Sequence, residues 1–177
     1  MNCKLILSSF ALVLGACTNM QGPAPAANVP DQLKPSANES VALITSAKGV
    51  QIYECRAAKD RAGVYEWAFV SPEADLFDAS GKKIGKHYAG PHWESADGSK
   101  IVGTVKERAD APRADSIPWL LLTAKSDGPT GSFSRFTAVQ RLNTVGGVAP
   151  TAGCSQSALG ATARVPYTAD YYFLAAR

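Results

Sequence analysis

The chain is poor in the side chains that metals, redox couples and nucleotides require. It holds 4 Cys and 2 His in 177 residues. Cys3 and Cys17 lie at the extreme N-terminus, so Cys55 and Cys154 are left for any folded domain. Neither has a CxxC neighbour or a His at ligand spacing, which argues against a zinc knuckle or a redox dithiol. There is no HExxH and no His-x-His, so the common helical and strand-borne zinc patterns are missing. Glycine-rich phosphate loops are lacking too. "GKKIGK" spaces its glycines in a turn context, and "GGVAPTAG" is followed by no helical pattern, so no cofactor motif is present. Charge is scarce and balanced at 18 basic against 15 acidic residues, net +3, which argues against nucleic acid as a partner. No internal repeat is evident.

What is present begins with an address. "MNCKLILSSFALVLGACTNM" has a positive charge at Lys4 and an apolar run from Leu5 to Gly15 that is too short to span a bilayer. It reads as a signal peptide over residues 1–16. Its end, Leu14-Gly15-Ala16-Cys17, resembles the bacterial lipobox, in which the chain is cut before the Cys and the thiol is acylated. The resemblance implies a lipid bilayer as a partner through acylated, palmitate-bearing Cys17. Thr18 stands where an Asp would signal inner-membrane retention, so the expected location is the outer membrane, on its periplasmic face or at the cell surface. Residues 17–40, "CTNMQGPAPAANVPDQLKPSANES", are rich in Pro, Ala, Asn and Ser and read as a flexible tether. Residues 41–177 suffice for one domain.

In an oxidising envelope the remaining even pair, Cys55 and Cys154, is expected to form a disulfide. The chain-entropy model values closure of a loop of roughly a hundred residues at about 4.7 kcal/mol. Within the domain the dominant period is two: Tyr65, Trp67 and Phe69 alternate with Glu66 and Ala68. "VQIYECRA", "KIVGTVKER", "IPWLLLTAK", "SFSRFTAVQRLNT" and "DYYFLAA" complete a set of strands. "DASGKK", "ADGSK" and "SDGPTGS" supply turns between them. Helix is expected only near Ser40–Ala47 and around Ser155–Leu159. The fold class is therefore all-β, a single antiparallel β-sandwich or partly open barrel with long loops.

The ordered motifs "GVQIYECRA", Trp67, "GKHYAGPHWE", "DGSKIVG", "IPWLLLTAK", "QRLNTVGGVAP", Gly153-Cys154 and "VPYTADYYF" resemble a secreted bacterial and fungal family, domain of unknown function 3455. The resemblance covers residues 41–174. In that family His87, Gly90, Pro91, Trp93 and Glu94 have counterparts, whereas another residue usually stands at His92, so no mechanism needing both imidazoles is implied.

"GKHYAGPHWE", residues 85–94, holds both histidines. With Asp97, the residues His87, His92 and Glu94 are the one nearby set that zinc could use. A separation of five puts the two histidines on opposite faces of an extended segment, but Gly90-Pro91 is expected to turn the chain between them. Geometry thus leaves metal open, and the missing His-x-His and HExxH patterns decide against it. No metal is expected. His87 and Glu94 could serve as a general acid and base, or the stretch could shape a bend around a buried Trp93. Between these lies a binding role, with His87, Tyr88, Trp93 and Glu94 lining a small-ligand site, joined by a C-terminal cluster of Arg164, Tyr167, Asp170, Tyr171 and Tyr172. Three readings stay open: a binding domain for a small ligand or envelope component, a hydrolase or lyase centred on His87 and Glu94, and a purely structural envelope protein.

Overall fold

The computed structural model describes residues 23–177, so the signal peptide and Cys17 lie outside the described residues. Eight antiparallel strands follow one another around a closed barrel. They are β1 (Glu39–Ala57), β2 (Tyr65–Phe77), β3 (Lys83–Tyr88), β4 (His92–Ser95), β5 (Lys100–Ala109), β6 (Trp119–Ser126), β7 (Phe136–Gly146) and β8 (Thr162–Ala176). Each pairs with the next, and β1 returns to β8. Closure depends on β1, which runs 19 residues. It pairs with β8 from Glu39↔Ala176 to Glu54↔Thr162, and with β2 from Ser46↔Phe77 to Ala57↔Tyr65. Register shifts at Val41/Leu43 and Ile52/Tyr53 bend this long strand, which is how one sheet curls round to meet itself. Of the two architectures open from the sequence, the barrel is therefore the one adopted, and it is fully closed.

Ser40–Ala47, expected as helix, lies within β1. Val41, Ile44 and Thr45 are β-branched, and pairing with β8 over their whole length outweighs the weak helical pattern. The second expected helix is reduced to a single 3-10 turn, Gln156–Ala158.

Alternation along each strand seats one set of side chains inside the barrel. At one end Phe133, Phe136 and Phe173 plug it with ring centroids 5.0–5.5 Å apart, beside Ile101 and Leu76. Each fully buried large apolar side chain contributes about 1.5–3 kcal/mol. A second core lies on the outer wall, where Trp119, Leu121, Ala138, Leu142, Tyr172 and Leu174 pack together with Leu33 and Val41. Leu33 belongs to a 3-10 turn, Asp31–Leu33, and is fully buried. The Gln140 amide donates to its carbonyl (2.6 Å), and Ala26 and Val29 pack on the same cluster. From Ala26 onward, the stretch read as a tether thus lies along the barrel as a strap.

Candidate functional site

The β3–β4 hairpin carries the motif, and its register decides what the motif can do. His87 pairs with Trp93, Lys86 with Glu94, and Tyr88 with His92 across a turn at 89–91. Paired residues share a face and neighbours alternate. His87 and Trp93 consequently point into the barrel, while Lys86, Tyr88, His92 and Glu94 point out. The turn is present, yet it does not bring the histidines together: the register leaves them on opposite faces. At its apex Gly90 has φ +140°, and a Cβ there would collide with the His92 ring.

Outside, the strip forms a surface network. Tyr88 donates to Glu94 at 2.6 Å, Lys86 lies 3.2 Å from the same carboxylate, and His92 Nε2 is 2.9 Å from Asp127. The Glu94 bond pushes the Tyr88 phenol up to about 12, and the same bond, with Lys86, holds the Glu94 carboxyl below its ordinary value. Asp97 is tied instead to Ser99 and Ser132, whose hydrogen bonds hold its carboxyl well below the carboxylate range. These contacts are exposed, and solvent screening leaves them little weight in stability. The barrel wall therefore divides the set considered for zinc. Among the described residues, no group of three or more His, Cys, Asp or Glu is placed to share an ion. It also divides His87 from Glu94, so the two cannot act as acid and base on one substrate. The pair that the hydrolase reading names is thus split between the two faces, for a reason that lies in strand parity.

Inside, His87 is 3% exposed and Trp93 1%. Their rings stack at 4.5 Å with Tyr171 edge-on to both, at 5.0 and 5.6 Å. Gly103 faces the Trp93 ring from β5, where even a methyl would lie 2.7 Å from it. The His87 Nδ1 lies 2.8 Å from the His92 carbonyl. A carbonyl only accepts, so Nδ1 carries the hydrogen and Nε2 is left as an acceptor. Burial pushes the imidazole down to about 3, against the pull of that hydrogen bond. The ring is a neutral wall element at physiological pH.

Above this aromatic floor the barrel holds a cavity of about 1000 Å³, at the upper end of the range for small-ligand sites. It opens between the 89–91 turn, the loop at 110–118 and Val148-Ala149. Phe69, Val70, Val105 and Val148 stand exposed around the mouth, Phe69 at 53% and Val105 at 52%. The mouth loops are pinned. Tyr53 donates to the Gly147 carbonyl (2.6 Å), Arg141 donates twice to the Pro118 carbonyl (3.1 and 2.9 Å), and Trp67 Nε1 reaches the Ala152 carbonyl at 2.9 Å. The disulfide Cys55–Cys154, with Cα atoms 5.3 Å apart, ties the end of β1 to the loop before β8.

The C-terminal cluster divides in the same way. Tyr167 and Tyr171 are inside, their hydroxyls 3.3 Å apart, and burial raises both phenols. Tyr172 belongs to the outer core, Asp170 accepts from Asn143 on the outside, and Arg164 pairs with Glu73 on the surface. Of the residues singled out from the sequence, the structure brings together His87, Trp93, Tyr167 and Tyr171, and separates off Tyr88, Glu94, Arg164, Asp170 and Tyr172. Sequence reasoning missed Gln51, Tyr53 and Arg141 of the cavity wall. The only signal they gave was their parity along β1 and β7. No curated protein and no solved structure matches the chain. The family model described as protein of unknown function DUF3455 matches residues 35–175, the strap's end and nearly the whole barrel, and the chain belongs to that family.

Proposed function

We propose that this is a lipid-anchored protein of the cell envelope whose barrel binds a small, largely apolar molecule. The observation that carries the binding role is the cavity: about 1000 Å³, open at one end, floored by Trp93, His87 and Tyr171 and ringed by exposed apolar side chains. Soluble surfaces seldom present such a rim without a partner. A pocket that is mostly apolar with a few converging polar groups is what small-molecule binding requires. The lipobox-like Leu14–Cys17 supports the anchoring role and an outer-membrane address.

The test is titration with the neutral dye Nile red. Saturable binding of about one dye per chain is expected, with a blue-shifted emission. Val105→Trp, at the exposed mouth, should block it without altering the melting temperature, while Lys86→Ala on the outer wall should leave it unchanged. Equal dye binding by Val105→Trp and the parent would count against the cavity.

A further inference from the structure

The polar groups of the cavity wall are unevenly matched. Gln51 is 2% exposed and its Nε2 has no hydrogen-bond partner, although the side chain lies near enough to the Tyr167 phenol to oppose the rise caused by burial. Trp93 Nε1 is likewise buried and unpartnered. Arg141 faces inward between Leu120 and Tyr171, its register partners on β6 and β8. Its Nε and one Nη share the Pro118 carbonyl. It also lies within reach of the Tyr171 phenol. Among the described residues no carboxylate lies within 4.0 Å of Arg141 or of Arg108, whereas Arg113, the third arginine of the lining, is paired with Asp115; the lining's own carboxylate, Asp110, pairs with none of them. The unpartnered buried groups of the wall, Gln51 Nε2 and Trp93 Nε1, are thus donors, and beside them stands a cation that has hydrogen bonds but no ion pair, in a mostly apolar chamber. Leaving buried donors unpaired is costly, and a guanidinium keeps its charge, so what completes the wall must bring acceptors and negative charge.

We infer that the cavity takes an amphiphile with a carboxylate head, bound by the Arg141 guanidinium with Gln51 as a second donor, and an apolar body lying against Leu120, Leu122, Val105 and Phe69. The planar guanidinium, which has N–H groups beyond the two given to Pro118, suits a two-oxygen carboxylate. This rests on the cavity-binding reading above and adds the chemistry of the ligand to it.

The experiment compares decanoate, decanol, decylamine and decyl phosphate, each below its micelle concentration, as competitors of Nile red on the parent protein, Arg141→Gln and Gln51→Leu. Decanoate should bind at least about tenfold more tightly than decanol or decylamine. Arg141→Gln should erase that advantage while decanol binds as before, which also shows that the variant's cavity is intact. Gln51→Leu should reduce the advantage several-fold, as removal of one neutral donor should. Decanol binding with no decanoate preference, or a preference that survives Arg141→Gln, would overturn the inference and leave the cavity reading standing. Arg141-dependent binding of decyl phosphate tighter than decanoate would overturn the carboxylate assignment. If none of the four displaces the dye, both readings fall together.

Discussion

His87 is a histidine that cannot do what a surface histidine does. Buried against Trp93 and Tyr171, it stays neutral down to about pH 3 in the folded protein, whereas in the unfolded chain it takes up a proton near pH 6.5. Between these values the unfolded state binds the extra proton, so stability rises with pH there. The contribution is whole above about pH 6.5 and drains away as pH falls towards 3. The carboxylates with lowered values, such as Asp97 and Glu94, lose their contribution only below about pH 4.5. Between pH 6.5 and 4.5 the His87 contribution is therefore read apart from those carboxylates. Melting temperature should decline steadily across that window in the parent, and His87→Gln should flatten the slope whatever it does to the absolute value. Parallel slopes would mean that His87 is protonated without cost and is not sealed in.

The strap is an element that its sequence disguises. "QGPAPAANVPDQLKP" has the composition of a linker, and its one conspicuous apolar residue, Leu33, is fully buried on the outer wall. Leu33→Ala should cost about 2–5 kcal/mol in urea unfolding; a cost near zero would return the segment to the status of a loose leader. The same covering explains which strands were legible. β2 alternates cleanly near Tyr65–Phe69 because its outer face meets water. β6 and β8 read as near-continuous apolar runs, "WLLLTA" and "YYFLAA", because the barrel interior buries one face and the strap region the other. Strand existence and the turns at 78–82 and 96–99 could be read locally. Closure could not, because it depends on β1 meeting β8 more than a hundred positions away. Arg141 was opaque for a related reason: an arginine in "FTAVQRLNT" looks solvent-facing until the register with Leu120 and Tyr171 puts it inside.

At the scale of the whole molecule, the anchor and the barrel are separate propositions with separate tests. Cys17→Ser should abolish incorporation of radiolabelled palmitate and move the protein from the membrane fraction to the soluble one, with Nile red binding retained. Continued labelling would place the acyl group elsewhere and remove the lipobox reading.

The strap also changes the mechanics of such an anchor. If residues 17–40 were all free, they would span up to roughly 80 Å when drawn out. With Ala26 already seated on the outer core, only the nine residues from Cys17 to Pro25 could pay out, a contour of roughly 30 Å. Ala26, Val29 and Leu33 share their cluster with Ala109 and Trp119, which flank the mouth loop, and with Ala111 inside it. A barrel on so short a leash would stay against its own bilayer, unable to reach across a compartment, with its opening held on the side from which the leash departs.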